Sequence, residues 1–321
     1  MVKTSILKKP IKKKKALAAS IVDFLLVGLA AASLSLNLPG AHANVLEKTE
    51  RQTMEQIIPS LPQHLQEEGH KLIESFQNVM YPFIDPNVGL RKWVPPFRTK
   101  DKKNTLSLLV AYERDLPDPE KERIEKEVLK PVIGPLSKYL GFDINVHYDI
   151  YATASSDITL FIYDENAEDK LFHAIVKRAL LYSDEEFSMQ KQSVEDLKSG
   201  ESDFEHRRIG GKFFGAIIAR NDSDLRTGSF SQFLSQAMFR VFGALGNGMR
   251  LPSILSKNEK NEDEYAFTHL TVHDLNLLSL LYKKELLPDM TVEETLPIIR
   301  RLTWEAMVRA GAREKRPKGG D

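Results

Sequence analysis

The sequence predicts an α/β (α+β) fold, a mixed sheet packed with helices and preceded by an N-terminal helical arm. Short apolar runs at residues 106–112, 158–163 and 213–219 read as buried strands. Amphipathic helical periods lie between them, and the last third of the chain is helical, so helices and strands must pack in layers.

Residues 1–43 carry the order of a bacterial export signal. A lysine cluster at 12–15 runs into an apolar stretch at 16–38, which closes on Pro39-Gly40-Ala41-His42-Ala43. The helix-breaking Pro39-Gly40 favours cleavage after Ala43. An uncleaved membrane anchor is the competing reading, since the stretch is long for a signal; Asp23 within it is costly at a bilayer centre. The expected location is periplasmic or secreted, or inner-membrane anchored facing the periplasm, with membrane contact only through residues 16–38 if they stay. The chain has no cysteine, so neither a lipid-bearing thiol nor a disulfide is available.

Residues 44–87 read as the helical arm. Leu61, Leu65, Leu72, Ile73 and Phe76 recur at helical spacing, and Pro59 and Pro62 divide the arm in two. The main domain follows at 88–310, then a flexible tail at 311–321. Residues 117–140 form a helix with Ile124, Val128, Val132 and Leu136 on one side. Residues 143–148 alternate with period two, as a half-buried strand does. A helix spans 165–182, and a charged helix or loop follows from 184 to 202. Three helices close the chain at 229–242, 271–284 and 291–310. Thr271 with Asp274, and Thr291 with Glu294, form capping boxes at two of these starts.

The whole chain is neutral, with 45 basic and 45 acidic residues. Residues 1–43 hold seven lysines and one aspartate, so their removal leaves 38 basic and 44 acidic residues, net about −6. A mildly acidic surface disfavours nucleic acid as a partner.

A zincin-type metallopeptidase needs two histidines four apart on one helix face, with a glutamate beside the first as general base. Side chains at i and i+4 converge on one ion, and the glutamate reaches the metal-bound water. The helix at 229–242 sits where such a motif belongs, after a strand and before the turn Gly243-Ala-Leu-Gly246-Asn247.

Several short motifs here resemble an exported proteobacterial family known only as domain of unknown function 2927. They are Leu90-Arg91-Lys92-Trp93, then residues 239–247 followed by Arg250-Leu-Pro252-Ser253-Ile254. The closing block is Leu270-Thr271-Val-His273-Asp274, Leu280-Leu281-Tyr282 and Pro288-Asp289-Met290-Thr291. The resemblance covers about residues 88–301. That family's helix usually carries Glu-Glu-x-x-Gln, a worn zincin motif, so the resemblance implies a zincin-like domain. On the register set by Gly243, Gln236 stands at the first ligand position, Ala237 at the general base and Arg240 at the second ligand. Alanine cannot move a proton, and an arginine stays protonated and has no lone pair for zinc. The plain reading is a core face of Leu234, Ala237, Met238, Val241 and Leu245.

Other candidates carry less. His269 and His273 are four apart, but Thr271 as N-cap leaves His269 outside the helix. His147 with Asp149 on a strand, and Glu205-His206 in a loop, lack a third partner. Gly228-Ser229 is not a nucleophile elbow, and Phe213-Phe214 sits in a core strand. The leading expectation is an exported, non-catalytic zincin-like binding module in the cell envelope, taking an unknown protein or peptide partner and no cofactor. Its candidate cleft residues are Gln236, Arg240, Asn247, His273 and Asp274. The alternatives are a metal-dependent peptidase or hydrolase with other ligands, or an envelope structural protein working through its arm.

Overall fold

A computed structural model describes residues 56–81, 89–95, 97, 104–113, 117–148, 150–164, 168–209, 211–221, 229–244, 246, 249–258 and 261–314. The lysine cluster, the apolar stretch, Ala43, Asp149, Leu245, Asn247 and the tail from 315 lie outside them. The chain divides into two compact units, one of residues 1–73 with 297–321 and one of residues 74–296.

The larger unit is built on a five-stranded sheet of β1 (Thr105–Tyr112), β2 (Asp143–His147), β3 (Ile158–Tyr163), β4 (Phe204–Ile209) and β5 (Lys212–Asn221). Their order is β2-β1-β3-β5-β4. The first three and β5 run parallel, and β4 runs antiparallel to β5 at the edge, with a bulge between Arg207 and Arg208. Burial explains the strand patterns. Central β1 and β3 are covered on both faces and read as continuous apolar runs, whereas edge strand β4 is partly buried over Phe204–Arg207 and exposed at Arg208 and Ile209.

Helix α2 runs through Asp118–Arg123, Ile124–Leu129 and Lys130–Leu140, and its middle piece is widened to a π-turn. Pro131 supplies the cause, because it lacks an N–H and crowds the Glu127 carbonyl four residues back. As the spacing requires, Ile124, Val128, Val132 and Leu136 are all buried.

On one side of the sheet α3 (Asp169–Leu180) and α5 (Lys191–Ser199) pack Phe172, Val176, Val194 and Leu197 against Leu109, Phe161, Ile217 and Ala219. Between these helices lies α4 (Asp184–Met189), started by a complete Ser183–Glu186 capping box. The alternate residues Leu108, Val110, Leu160 and Ile218 are just as buried. They face the side of α2, α6 (Ser229–Val241) and α7 (Val272–Leu281).

The smaller unit holds the start of α1 (Gln63–Met80) and most of α8 (Val292–Glu314). Within it Leu61, Leu65 and Leu72 are buried. Gly69 lies so close to Trp304 that a Cβ there would meet the indole at 2.6 Å. His70 sets its ring edge on the same indole at 5.0 Å. Among the described residues no helix is long and apolar enough to cross a membrane.

Candidate functional site

Helix α6 follows β5, and its core face is the expected one: Leu234, Ala237, Met238 and Val241 are buried. Gln236 is buried too, its Nε2 donating to the Ile254 carbonyl at 3.2 Å. Arg240 stays partly exposed, and its charge is felt by Asp203. Gly243 ends the helix at φ 114°. A Cβ there would lie 2.6 Å from the Arg91 carbonyl oxygen, so only glycine admits the segment that packs on this turn.

That segment, residues 90–93, ties the ends of two helices together. Trp93 donates its indole N–H to the Val241 carbonyl at 3.0 Å, in the last turn of α6. The Lys92 ammonium donates to the carbonyls of Leu281, Lys283 and Leu286 at 2.9, 3.2 and 2.9 Å, filling the acceptors left open past α7. Burial pulls the Lys92 pKa down to about 8, and Glu285 pushes it back up. Tyr282 accepts from the Trp93 backbone N–H and donates to the Phe242 carbonyl. Leu90 and residues 289–290 exchange backbone bonds at 2.8 and 2.9 Å. Three distant sequence blocks thus form one knot, beside a cavity of about 300 Å³ lined in part by Trp93, Phe142, Tyr282 and Leu287.

Asp274 is fully buried. Its carboxylate accepts from the Ser253 hydroxyl, from the Ile254 N–H at 2.9 Å and from the Thr271 N–H at 2.7 Å. Thr271 in turn donates to the Pro252 carbonyl. Burial raises the Asp274 pKa and these hydrogen bonds lower it again. The capping box therefore also clamps the Pro-Ser-Ile loop onto α7, leaving no open face on the carboxylate. His273 is half-buried, which lowers its pKa, and His269 is exposed outside the helix. No group of three metal-ligating side chains occurs among the described residues. Away from these helices, His147 meets Ser156 at 3.1 Å, and Asp157 pins Ser107 across β1.

One sequence expectation is corrected. Glu205-His206 lies in edge strand β4, not in a loop. Charged residues hide the period-two pattern of this strand, but Gly210-Gly211 ahead of an apolar run is a hairpin signal that marks it. Phe213 is buried as a core residue, while its neighbour Phe214 is exposed.

His206 lies between two aromatic rings, stacked on Phe204 at 5.7 Å and edge-on to Phe213 at 5.1 Å. Phe213 in turn lies 5.6 Å from Trp93, which joins the edge strand to the knot. Burial, then the charges of Arg208 and Arg91, push the His206 pKa down to about 4. Two polar backbone groups here are covered by neighbouring side chains. Glu205 accepts from the His206 N–H at 2.9 Å, and Ser202 donates to the Phe204 carbonyl at 2.9 Å. Arg220 sits 3.8 Å from Asp203 and 4.5 Å over the Phe233 ring. The structure thus brings Arg240 to the side of β4, and it sets Gln236 and Asp274 into the packing around Ile254. Comparison with family models, with curated proteins and with solved structures gives no match.

Proposed function

We propose that this is an exported, non-catalytic zincin-like protein, a binding module of the cell envelope that takes an extended peptide along the open edge of β4. The observation that carries the reading is the strand order β2-β1-β3-β5-β4, with one antiparallel strand at the edge and an amphipathic helix following β5. A zincin-like scaffold uses such an edge for its peptide and such a helix for its metal. With Gln236, Ala237 and Arg240 at the ligand and base positions, that helix offers neither a metal pair nor a proton carrier. The peptide edge does not depend on them. An incoming strand exchanges the local bonds made by Glu205 and Ser202 for a ladder.

The test is calorimetric titration of the protein with an extended, threonine-rich peptide and with the same peptide N-methylated at alternate amides. Binding that is lost on N-methylation is expected. Undetectable binding, or binding indifferent to N-methylation, refutes strand addition. Equal affinity of Arg240→Ala and the parent takes Arg240 out of the surface.

A further inference from the structure

We infer that the β4 edge selects acidic peptides, a ligand carboxylate being held between the guanidiniums of Arg91 and Arg208 beside His206. The inference deepens the peptide-edge reading and rests on it. Both arginines flank the start of β5. Arg208 pairs with Phe213 from the β4 side, and Lys92 bridges to Lys212 from the other. Adjacent strands lie about 4.8 Å apart, so two arginines set across β5 reach a common point with their long side chains.

The neighbouring cations are already spent. Arg207 donates to the Leu180 and Leu181 carbonyls and to Glu186, and Arg220 has Asp203. Among the described residues neither Arg91 nor Arg208 makes a hydrogen bond or ion pair, and Arg91 Nε is buried without an acceptor. A buried guanidinium N–H with no acceptor is costly, and a second guanidinium nearby raises that cost. The Arg91 pKa falls for these two reasons, burial first and the charge of Arg208 second. A carboxylate relieves both, taking the fork of one arginine and neutralising the other. The acid that feels Arg208 is Glu205, Asp289 sets its carboxylate against Gly211 at the start of β5, and Asp203 answers to Arg220 and Arg240 instead. Glu205 accepts from the His206 N–H and makes no ion pair with either guanidinium, so a ligand carboxylate would be the first direct anionic partner of Arg91 and Arg208.

Fluorescence anisotropy with three labelled peptides tests this. They share an extended threonine frame and carry glutamate, serine or lysine at alternate positions; the glutamate peptide is also made N-methylated. The glutamate peptide is expected to bind at least tenfold tighter than the serine one, and the lysine peptide most weakly. Arg208 is exposed, so Arg208→Ala keeps the fold; it should erase the preference for glutamate over serine. Equal affinity for glutamate and serine peptides, or a preference that survives Arg208→Ala, overturns the inference while leaving strand addition in place. A glutamate preference that survives N-methylation keeps the carboxylate site and overturns strand addition. Failure of all peptides to bind overturns both.

Discussion

Acidification should destabilise the protein through His206, and the size of the effect follows from the edge strand. The imidazole is wedged between Phe204 and Phe213 with Arg91 and Arg208 nearby, which lowers its pKa from 6.5 to about 4. The native state therefore refuses a proton that the unfolded chain accepts. The stability it contributes is complete above pH 6.5 and is lost progressively as the pH falls toward 4. Between pH 7.5 and pH 5 the loss comes to roughly 2 kcal/mol, with a ceiling of about 3 kcal/mol at lower pH.

Asp203 and Glu205 act in the opposite direction, because burial raises their pKa values and the native state gains from protonating them. The comparison that isolates the imidazole is parent against His206→Phe, which keeps a ring in place but cannot titrate. Urea unfolding followed by circular dichroism at pH 7.5 and 5 should show the parent losing roughly 2 kcal/mol more than the variant. An NMR titration of the His206 ring gives its pKa directly. Equal losses in the two proteins, or a ring pKa above 6, would refute the placement of His206 among aromatic rings and arginines.

Two further outcomes follow from packing. Asp274→Ala should cost about 3–5 kcal/mol, because the Ile254 and Thr271 amides and the Ser253 hydroxyl lose a buried acceptor together; urea unfolding with a loss under about 1 kcal/mol would show the clamp to be dispensable. Gly69→Ala gains helix propensity, but its Cβ would stand 2.6 Å from the Trp304 ring, so a net loss of about 1–2 kcal/mol and a shifted Trp304 emission are expected. An unchanged emission with higher thermal stability would contradict that contact.

How much of this was legible depended on which faces are buried. Strands β1 and β3, and β5 over residues 215–219, are packed on both sides, so apolarity alone announces them, and the capping boxes mark where α7 and α8 begin. Strand β4 has one open edge, and its residues are chosen for charge and solvation, which erases the hydrophobic period that betrays a strand. The apolar spacing of α6 marks Leu234, Ala237, Met238 and Val241 as buried, yet Asp203, the acid that feels Arg240, comes from the segment just before β4.

Asp274 is the converse case. Its capping role was plain from Thr271-x-x-Asp, but a capping carboxylate has acceptor capacity to spare, and nothing local shows that a loop some twenty residues upstream will use it. The Lys92 contacts are hidden for the same reason, since a lysine among apolar residues gives no sign of three carbonyls gathered from the far end of α7. Polar groups that satisfy one another across long sequence separations leave no periodic trace. In this protein those groups hold the knot together, and Arg91 Nε, buried beside it without an acceptor, is where the proposed carboxylate would bind.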